Sequence, residues 1–442
     1  MSMPAVSEER FTTEDLRNLW RILSPDERLG GWKLLPHDDA EEFFLALGPA
    51  DRASLMVEMP KNERRAWMRI LAPDDAADVI QHVPEAERAG LLALLDDATR
   101  REVTALLAYA EDAAGGLMNP RYARLRPEMT VDEAIGYLRR QARTNLELLS
   151  YLYVIDDEQR LLGVVSFREL FAAQPERTVR EVMRTDLVTV RDDQDQEEVS
   201  RILAQHDLIA LPVLDRDGHM KGIVTVDDIV DVVQAEATED IQKLGGMEAL
   251  DEPYLEIAFA RMFRRRAGWL SALFLGEMLT ATAMAYFEDE IARAVVLALF
   301  VPLIISSGGN SGSQASTLVV RAMSLGEVRL TDWWRVVRRE LASGVALGTL
   351  LGSIGFLRIV IWQAISPLYG EHYVLIAMTV GLSLLGVVMF GTLAGSILPF
   401  VFRRLHFDPA SASAPFVATL VDVSGLLIYF SVASTILHGT LL

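Results

Sequence analysis

Hydrophobic residues are unevenly distributed along the 442-residue chain. In the first 260 residues they recur at helical or strand spacing between charged residues, whereas in the rest they form long runs. Each run has the roughly 20 residues that a helix needs to cross hydrocarbon. The pattern predicts a water-soluble region followed by five transmembrane helices, at about 267–286, 292–320, 341–365, 373–401 and 413–438.

The second of these spans contains an unusual polar stretch at residues 302–317, which is rich in glycine, hydroxyl and amide side chains. Polar backbone exposed to lipid is too costly to persist, so such a segment is expected inside protein or along a wet path. We therefore predict that Gly308, Gly309, Asn310 and Gln314 line a pore.

A repeat precedes the membrane region. Residues 35–40 return as 72–76, which gives a period of about 36 and predicts a small solenoid of short helices over residues 31–112. Aspartates at the helix starts suit N-caps and the helix dipole. Alternatively, Asp74 and Asp78 lie one turn apart and could share a cation.

Two β-α-β style units follow the repeat. The spacing of Gly163, Ser166 and Glu169 in the first unit returns as Gly222, Thr225 and Asp228 in the second. The two units resemble a tandem pair of CBS domains. Such pairs act as sensors and can bind adenine nucleotides, and the resemblance places Tyr151, Arg168 and Glu169 at the ATP site. Leu208 stands where some relatives have an aromatic residue, which counts against ATP binding.

Charge divides the chain in the same place as hydrophobicity. Residues 1–260 hold 52 acidic and 29 basic residues (−23), whereas residues 261–442 hold 10 and 13 (+3). An acidic domain repels phosphates, so we expect no nucleic-acid partner. The sequence has no cysteine, no histidine cluster, no glycine-rich phosphate loop and no nucleophile–base set, so we expect no enzyme.

The linker at residues 227–240 carries acidic residues at helical spacings. Like charges at i, i+3 and i+4 repel by about 0.2–0.5 kcal/mol per pair. The residues therefore form either a solvated helix face or a set of ligands for a hard divalent cation.

Basic residues set the orientation. They precede the first span and follow the second and fourth, so the amino-terminal half is predicted to be cytoplasmic and the C-terminus outside the cytoplasmic (inner) membrane. We expect no signal peptide. Five helices with a polar second span make a thin wall, which favours a homodimer with the pore on its axis.

Few ionisable residues interrupt the spans: Glu277, Arg358 and Asp422. A carboxylate near mid-bilayer costs about 2.5–3.5 kcal/mol, so it usually has a function. Asp422 is interpreted as a cation ligand in the pore, and the alternative is an ion pair with Arg358.

Three motifs carry a resemblance to the MgtE family of magnesium channels: residues 308–314, residues 419–429, and residues 225–228 together with 236–240. The resemblance implies Mg²⁺ uptake through a homodimeric pore, closed when intracellular Mg²⁺ bridges the acidic cytosolic domains. It places Mg²⁺ at Asp422 in the pore. The other positions that it implies as metal ligands are Asp408, Glu42, Asp74, Asp78, Asp195, Glu197, Asp207, Asp228, Asp231, Glu236, Glu239 and Asp240.

The predicted fold is a multidomain α and α/β membrane protein. Its parts are an N-terminal helical segment (1–30), a helical solenoid (31–114), two CBS domains (115–183 and 184–235), a linker or plug helix (236–263) and a five-helix transmembrane pore domain (264–442). The alternative functions are a CBS-gated proton-coupled carrier, in which Asp422 relays protons, a Mg²⁺-using membrane enzyme and a nucleotide-sensing scaffold.

Overall fold

The chain divides between residues 233 and 234 into two compact units. The computed structural model describes residues 11–141, 150–250, 254 and 257–441. The first ten residues of the predicted N-terminal segment, and residues 251–253 and 255–256 of the predicted linker, lie outside the described residues.

Short helices form the beginning of the first unit. Their bounds are α1 (Thr13–Leu19), α2 (Pro25–Lys33), α3 (His37–Leu45), α4 (Pro49–Glu58), α5 (Arg64–Ile70), α6 (Pro73–His82), α7 (Glu85–Leu92) and α8 (Asp97–Leu106). The predicted helical repeat is present, but the predicted period of 36 residues is wrong. Helices α2, α4, α6 and α8 begin at Pro25, Pro49, Pro73 and Asp97, which are 24 residues apart. Residues 35–40 lie at the start of α3, the second helix of one repeat, whereas residues 72–76 lie at the start of α6, the first helix of another repeat. The predicted period therefore joins helices that are not equivalent.

Buried arginines connect successive repeats. Arg52 of α4 is 7% exposed, its Nε donates to the Phe44 carbonyl at 3.1 Å, and its guanidinium pairs with Asp75 of α6. Arg28 makes the equivalent pair with Asp51, one repeat earlier, at 3.5 Å. Each guanidinium therefore satisfies a helix-end carbonyl and a carboxylate of the next unit at once.

Two three-stranded sheets follow, with one helix, α9 (Ala114–Leu117), at the entrance. In each sheet the first strand is parallel to the second, and the second is antiparallel to the third. This repetition confirms the predicted CBS pair. The elements are β1 (Arg124–Leu125), α10 (Val131–Gln141), β2 (Tyr151–Ile155), β3 (Leu161–Ser166), α11 (Phe167–Ala172), α12 (Val179–Val182), β4 (Val190–Arg191), α13 (Gln196–Gln205), β5 (Ala210–Leu214), β6 (Met220–Thr225) and α14 (Val226–Leu244).

Five of the described helices are long and apolar enough to cross a membrane, as predicted. They lie in α15 (Phe259–Tyr286), α17 (Val301–Ser324), α18 (Trp333–Ile365), α19 (Tyr373–Arg404) and α20 (Ala414–Leu437), with a short α16 (Glu288–Arg293) after the first. Helix α14 is continuous across the predicted domain boundary at residue 235 and ends before Gly246, whose φ of +75° suits glycine.

Helix α17 runs without a break through the polar stretch, because Pro302 lies in its first turn, where no backbone donor is required. Two of its serines bind the backbone at the start of the fifth span. Ser316 Oγ donates to the Ala412 carbonyl at 2.6 Å, and Ser313 Oγ donates to that of Ala414 at 3.2 Å. The hydroxyls thus join two spans inside the bundle.

Glycines allow α17 to approach its neighbours closely. A methyl group on Gly308 would lie 2.5 Å from Val387 Cγ1 of α19 and 2.7 Å from Val421 Cγ1 of α20. One on Gly312 would lie 2.8 Å from the carbonyl oxygen of Gly391. Small residues of this kind let membrane helices pack backbone to backbone. Any larger residue at 308 or 312 would therefore separate the second, fourth and fifth spans.

Replacing Arg52 by alanine should destabilise the helical repeat by about 2–3 kcal/mol, since it leaves a buried carbonyl and Asp75 without their partner. The measurement is amide hydrogen exchange of the full-length protein, read as the free energy of opening in α4 and α6. The matched control is R69A, an exposed arginine of α5. Equal exchange in the two variants would show that the arginine pairs do not connect the repeats.

Candidate cation sites and a nucleotide cavity

Three predicted ligands, Asp74, Asp78 and Asp228, come together where α6 meets the start of α14. Asp74 is 7% exposed and accepts a hydrogen bond from Asn119 Nδ2 at 3.2 Å. Asp228 accepts one from Thr225 Oγ1 at 2.7 Å. The first unit therefore gathers three carboxylates at one partly buried place, from helices more than 140 residues apart in sequence.

Their charges repel one another. Burial, reinforced by the neighbouring carboxylates of Asp75, Asp228 and Glu111, raises the pKa of Asp78 to about 7. Burial and the carboxylate of Asp74 also raise the pKa of Asp228 to about 7, against the opposing hydrogen bond from Thr225. This concentration of negative charge makes the cluster a candidate cation site. Carboxylate and amide oxygens are suitable ligands for Mg²⁺.

The other predicted cytosolic ligands lie elsewhere. Asp195 caps α13, since its Oδ1 accepts from the Glu197 backbone amide at 2.9 Å. Glu236 is partly buried on α14. The remaining ones are exposed side chains: Glu42, Glu197, Asp207 and Asp231.

Glu239, Asp240 and Asp408 form a second group in the other unit. Asp240 Oδ2 accepts from Ser324 Oγ, at the end of α17, at 3.0 Å. Asp408 Oδ2 and Glu239 both bind the ammonium of Lys243, with a distance of 2.5 Å between Nζ and Asp408 Oδ2. The structure therefore places a lysine, which sequence reasoning had missed, among acids predicted to bind Mg²⁺.

Within the spans, Asp422 is partly buried on α20 and follows Val421, which packs on Gly308. It lies eight residues after the start of α20 and interacts electrostatically with Glu277 of α15. Among the described residues, Arg358 makes no ion pair with Asp422. Its guanidinium lies 4.1 Å from the Trp362 ring centroid and within 3.5 Å of the Tyr369 hydroxyl.

The four predicted pore residues fall into two classes. Gly308 and Gly309 are buried within the helix bundle, against α19 and α20. Asn310 and Gln314 are exposed, one turn apart on α17. The polar side chains thus lie on the outer surface of the single bundle, where a second copy or water can reach them.

A cavity of about 430 Å³ lies between the two CBS units. Tyr151, Arg168 and Glu169, the predicted nucleotide ligands, all line it. Glu169 accepts from Arg184 Nε at 2.7 Å, and Arg184 also lines the cavity. The structure adds Tyr153, which is 2% exposed and whose hydroxyl has no hydrogen-bond partner among the described residues.

The apolar part of this cavity includes Val188, Leu208 and Pro212. Leu208 therefore lines the cavity, although it is aliphatic where the CBS resemblance suggested an aromatic residue. Apolar walls with a few convergent polar groups are typical of small-molecule sites.

One further group of possible metal ligands among the described residues is Asp215, Asp217 and His219, in the turn between β5 and β6. The carboxylate of Asp215 already has two partners within this hairpin. Asp215 Oδ2 lies 3.0 Å from both His219 Nδ1 and Lys221 Nζ. The positive charge beside Asp215 is therefore supplied by Lys221.

Family models match most of the chain. Residues 301–432 match the MgtE model, described as a divalent cation transporter, and residues 11–112 match the MgtE intracellular N domain. Residues 114–176 and 179–235 match the CBS domain. A crystal structure of the cytosolic domain of the Mg²⁺ channel MgtE in complex with ATP is 43% identical, with a TM-score of 0.47, over 51% of this chain and 91% of that one.

Curated relatives cover nearly the full length. The magnesium transporter MgtE of Thermus thermophilus is 42% identical over 434 residues, which are 98% of this chain and 94% of the relative. The magnesium transporter MgtE of Bacillus subtilis is 33% identical over 79% of this chain and 75% of that one. These names agree with the prediction that the chain is not an enzyme. With this identity along almost its whole length, the chain belongs to the MgtE family.

Proposed function

We propose that the protein takes up Mg²⁺ across the cytoplasmic membrane, through a pore on the axis of a homodimer. The observation that carries this proposal is Asp422, a carboxylate inside a membrane span with no ion-pair partner among the described residues. A charge in that position is costly unless it meets water or a counter-ion. The relatives, which are named as magnesium transporters, support the choice of ion.

The chemistry of Mg²⁺ suits this arrangement. The ion demands six oxygen ligands in octahedral geometry and gives up its waters reluctantly. Asp422 from each protomer would attract the ion, while Asn310 and Gln314 offer hydrogen bonds to its waters. An ion held through water binds weakly enough to leave again, as conduction requires. The short backbone approach at Gly308 fixes Asp422 beside α17.

Intracellular Mg²⁺ closes the pore through the acidic cytosolic sites. The cluster of Asp74, Asp78 and Asp228 is compact only when its charge is neutralised, so Mg²⁺ favours the state in which α6 lies against α14. Several weak sites that prefer one state shift the population further than a single site does. The outcome is negative feedback on Mg²⁺ entry, with the amino-terminal half in the cytoplasm and the C-terminus outside.

The cavity between the CBS units binds ATP as a modulator. Its apolar wall, including Leu208, accommodates an adenine, while Arg168 and Arg184 supply positive charge for phosphates. The Tyr153 hydroxyl, which has no hydrogen-bond partner among the described residues, offers one further hydrogen bond.

Replacing Asp422 by asparagine should reduce Mg²⁺ flux into liposomes at least about tenfold, because it removes the negative charge that attracts the hydrated ion into the span. The control is S424A, which removes a hydroxyl already bonded within α20 to the Leu420 carbonyl at 2.7 Å. Normal flux in D422N would exclude Asp422 from the pore. Flux that persists in D422N but requires a pH gradient would instead favour a proton-coupled carrier.

The acidic cluster makes the stability of the contact between α6 and α14 depend on pH. Without divalent cations, the contact between α6 and α14 should weaken as pH rises from 3.8, the ordinary aspartate value, through about 7. The reason is that a raised carboxyl pKa means that the compact state binds more protons than the separated state, so its stability falls as those protons dissociate. Scanning calorimetry of the full-length protein in EDTA, over a series of pH values, measures this fall.

Millimolar Mg²⁺ should largely abolish the fall, whereas D78N, which removes one of the two titrating groups, should only reduce it. D39N, an exposed aspartate of α3, provides the matched control and should keep the full pH dependence. A melting profile in EDTA that is flat between these pH values would contradict the sensor assigned to the cluster.

For the nucleotide cavity, R168A should weaken ATP binding about tenfold or more, the usual effect of losing one charge-assisted hydrogen bond. Titration calorimetry with ATP on the full-length protein provides the affinity. R139A, on the exposed face of α10, should bind ATP normally. Equal affinity of R168A and R139A would place the phosphates elsewhere.

A further inference from the structure

A lysine occupies the center of the acidic group at the end of α14. Its ammonium binds Glu239, one turn earlier on the same helix, and Asp408, 165 residues later in the loop before the fifth span. Only four lysines occur in the whole sequence, so a lysine among predicted Mg²⁺ ligands is an unusual placement.

The partners of this lysine are themselves fixed. Asp408 Oδ1 accepts from the Ala410 amide at 2.8 Å, which leaves Oδ2 directed to Lys243. Asp240, on the adjacent position of α14, holds the end of α17 through Ser324. The last turn of α14 is thereby connected both to the end of the second span and to the start of the fifth.

Charge explains why a cation is needed there. Glu239, Asp240 and Asp408 would repel one another if they stood alone, and the repulsion would push the end of α14 away from the spans. The ammonium of Lys243 supplies that cation through its contacts with Glu239 and Asp408.

We propose that Lys243 is a positioning residue that acts as a tethered cation: it holds α14 to the spans in the absence of Mg²⁺ and excludes Mg²⁺ from the carboxylates of Glu239 and Asp408. An ammonium bound to these carboxylates neutralises the charge that would attract Mg²⁺, and its own positive charge repels the ion. Part of the contact that closes the inner mouth is thus independent of the ion. The regulatory consequence rests on the proposed function, whereas the occupancy of the site does not.

Space for the alternative occupant is present. A cavity of about 410 Å³ borders Glu239, Lys243, Glu248 and Arg265. Without the ammonium, this space would admit a hydrated divalent ion next to Glu239. The lysine therefore determines which cation bridges the linker and the loop.

Counting bound Mn²⁺ by electron paramagnetic resonance on the full-length protein tests this occupancy without reference to transport. K243Q should bind one further ion per protomer, while K243R should bind the wild-type number, because arginine restores the positive charge. K61Q, an exposed lysine of the helical repeat, should also bind the wild-type number. An unchanged count in K243Q, or an equal increase in K243R, overturns the proposal.

A second measurement uses the unaltered protein and therefore does not depend on the folding of a variant. In EDTA, Lys243 should react with an amine-directed reagent about tenfold more slowly than Lys61, since its amine is charged, bonded and partly buried. Equal rates for the two lysines overturn the proposal.

Flux into liposomes then tests the regulatory consequence. With no Mg²⁺ on the cytosolic side, K243Q should pass Mg²⁺ several-fold faster than wild type and K243R, whereas with millimolar Mg²⁺ all three should close alike. If no variant transports Mg²⁺, the proposed function fails while the ion count still decides the role of Lys243.

Discussion

Close backbone packing of the second span is the constraint on which the membrane unit depends. A helix that carries serine, asparagine and glutamine is stable in a bilayer only if its own hydrogen bonds are complete and its polar groups are covered or wet. Gly308 and Gly312 help to meet the second part of this requirement, because they let α19 and α20 cover the backbone of α17. Because Val421 is one of the residues in that contact, the same packing sets the position of Asp422.

The soluble unit is subject to a different constraint, which is excess negative charge. In the helical repeat, arginines neutralise the carboxylates locally, as Arg52 does for Asp75. Where α6 meets α14, Arg52 offsets only part of the negative charge, and the pKa values of Asp78 and Asp228 rise to about 7. The difference separates carboxylates that stabilise the fold from those that are available to a cation. The two groups of carboxylates differ only in their neighbours, because the residues are aspartates in both.

Sequence periodicity predicted the elements well and the repeat poorly. The five spans and the two sheets could be predicted, because long hydrophobic runs and alternating hydrophobic residues are visible in short stretches of sequence. The repeat was misread because its units contain two similar helices that both begin near proline. Matching unlike helices gave 36 residues, whereas the proline series at Pro25, Pro49 and Pro73 carries the correct spacing of 24. Measuring the distance between prolines at the first position of successive helices would have given the correct period.

The sequence could predict which types of residue bind a cation, but not which of these residues come together in the fold. Acidic residues at helical spacing indicated cation binding, yet spacing could not show that Asp74 and Asp228 meet while Asp207 remains exposed. Nor could it reveal Lys243, because one lysine in a helix is ordinary until the chain returns 165 residues later with Asp408. The function of a run of charges depends on the counter-charge that the fold brings to it. Where a side chain supplies that counter-charge, as Lys243 does, the contact needs no ion, and where the negative charge is only partly offset, the site can respond to an ion.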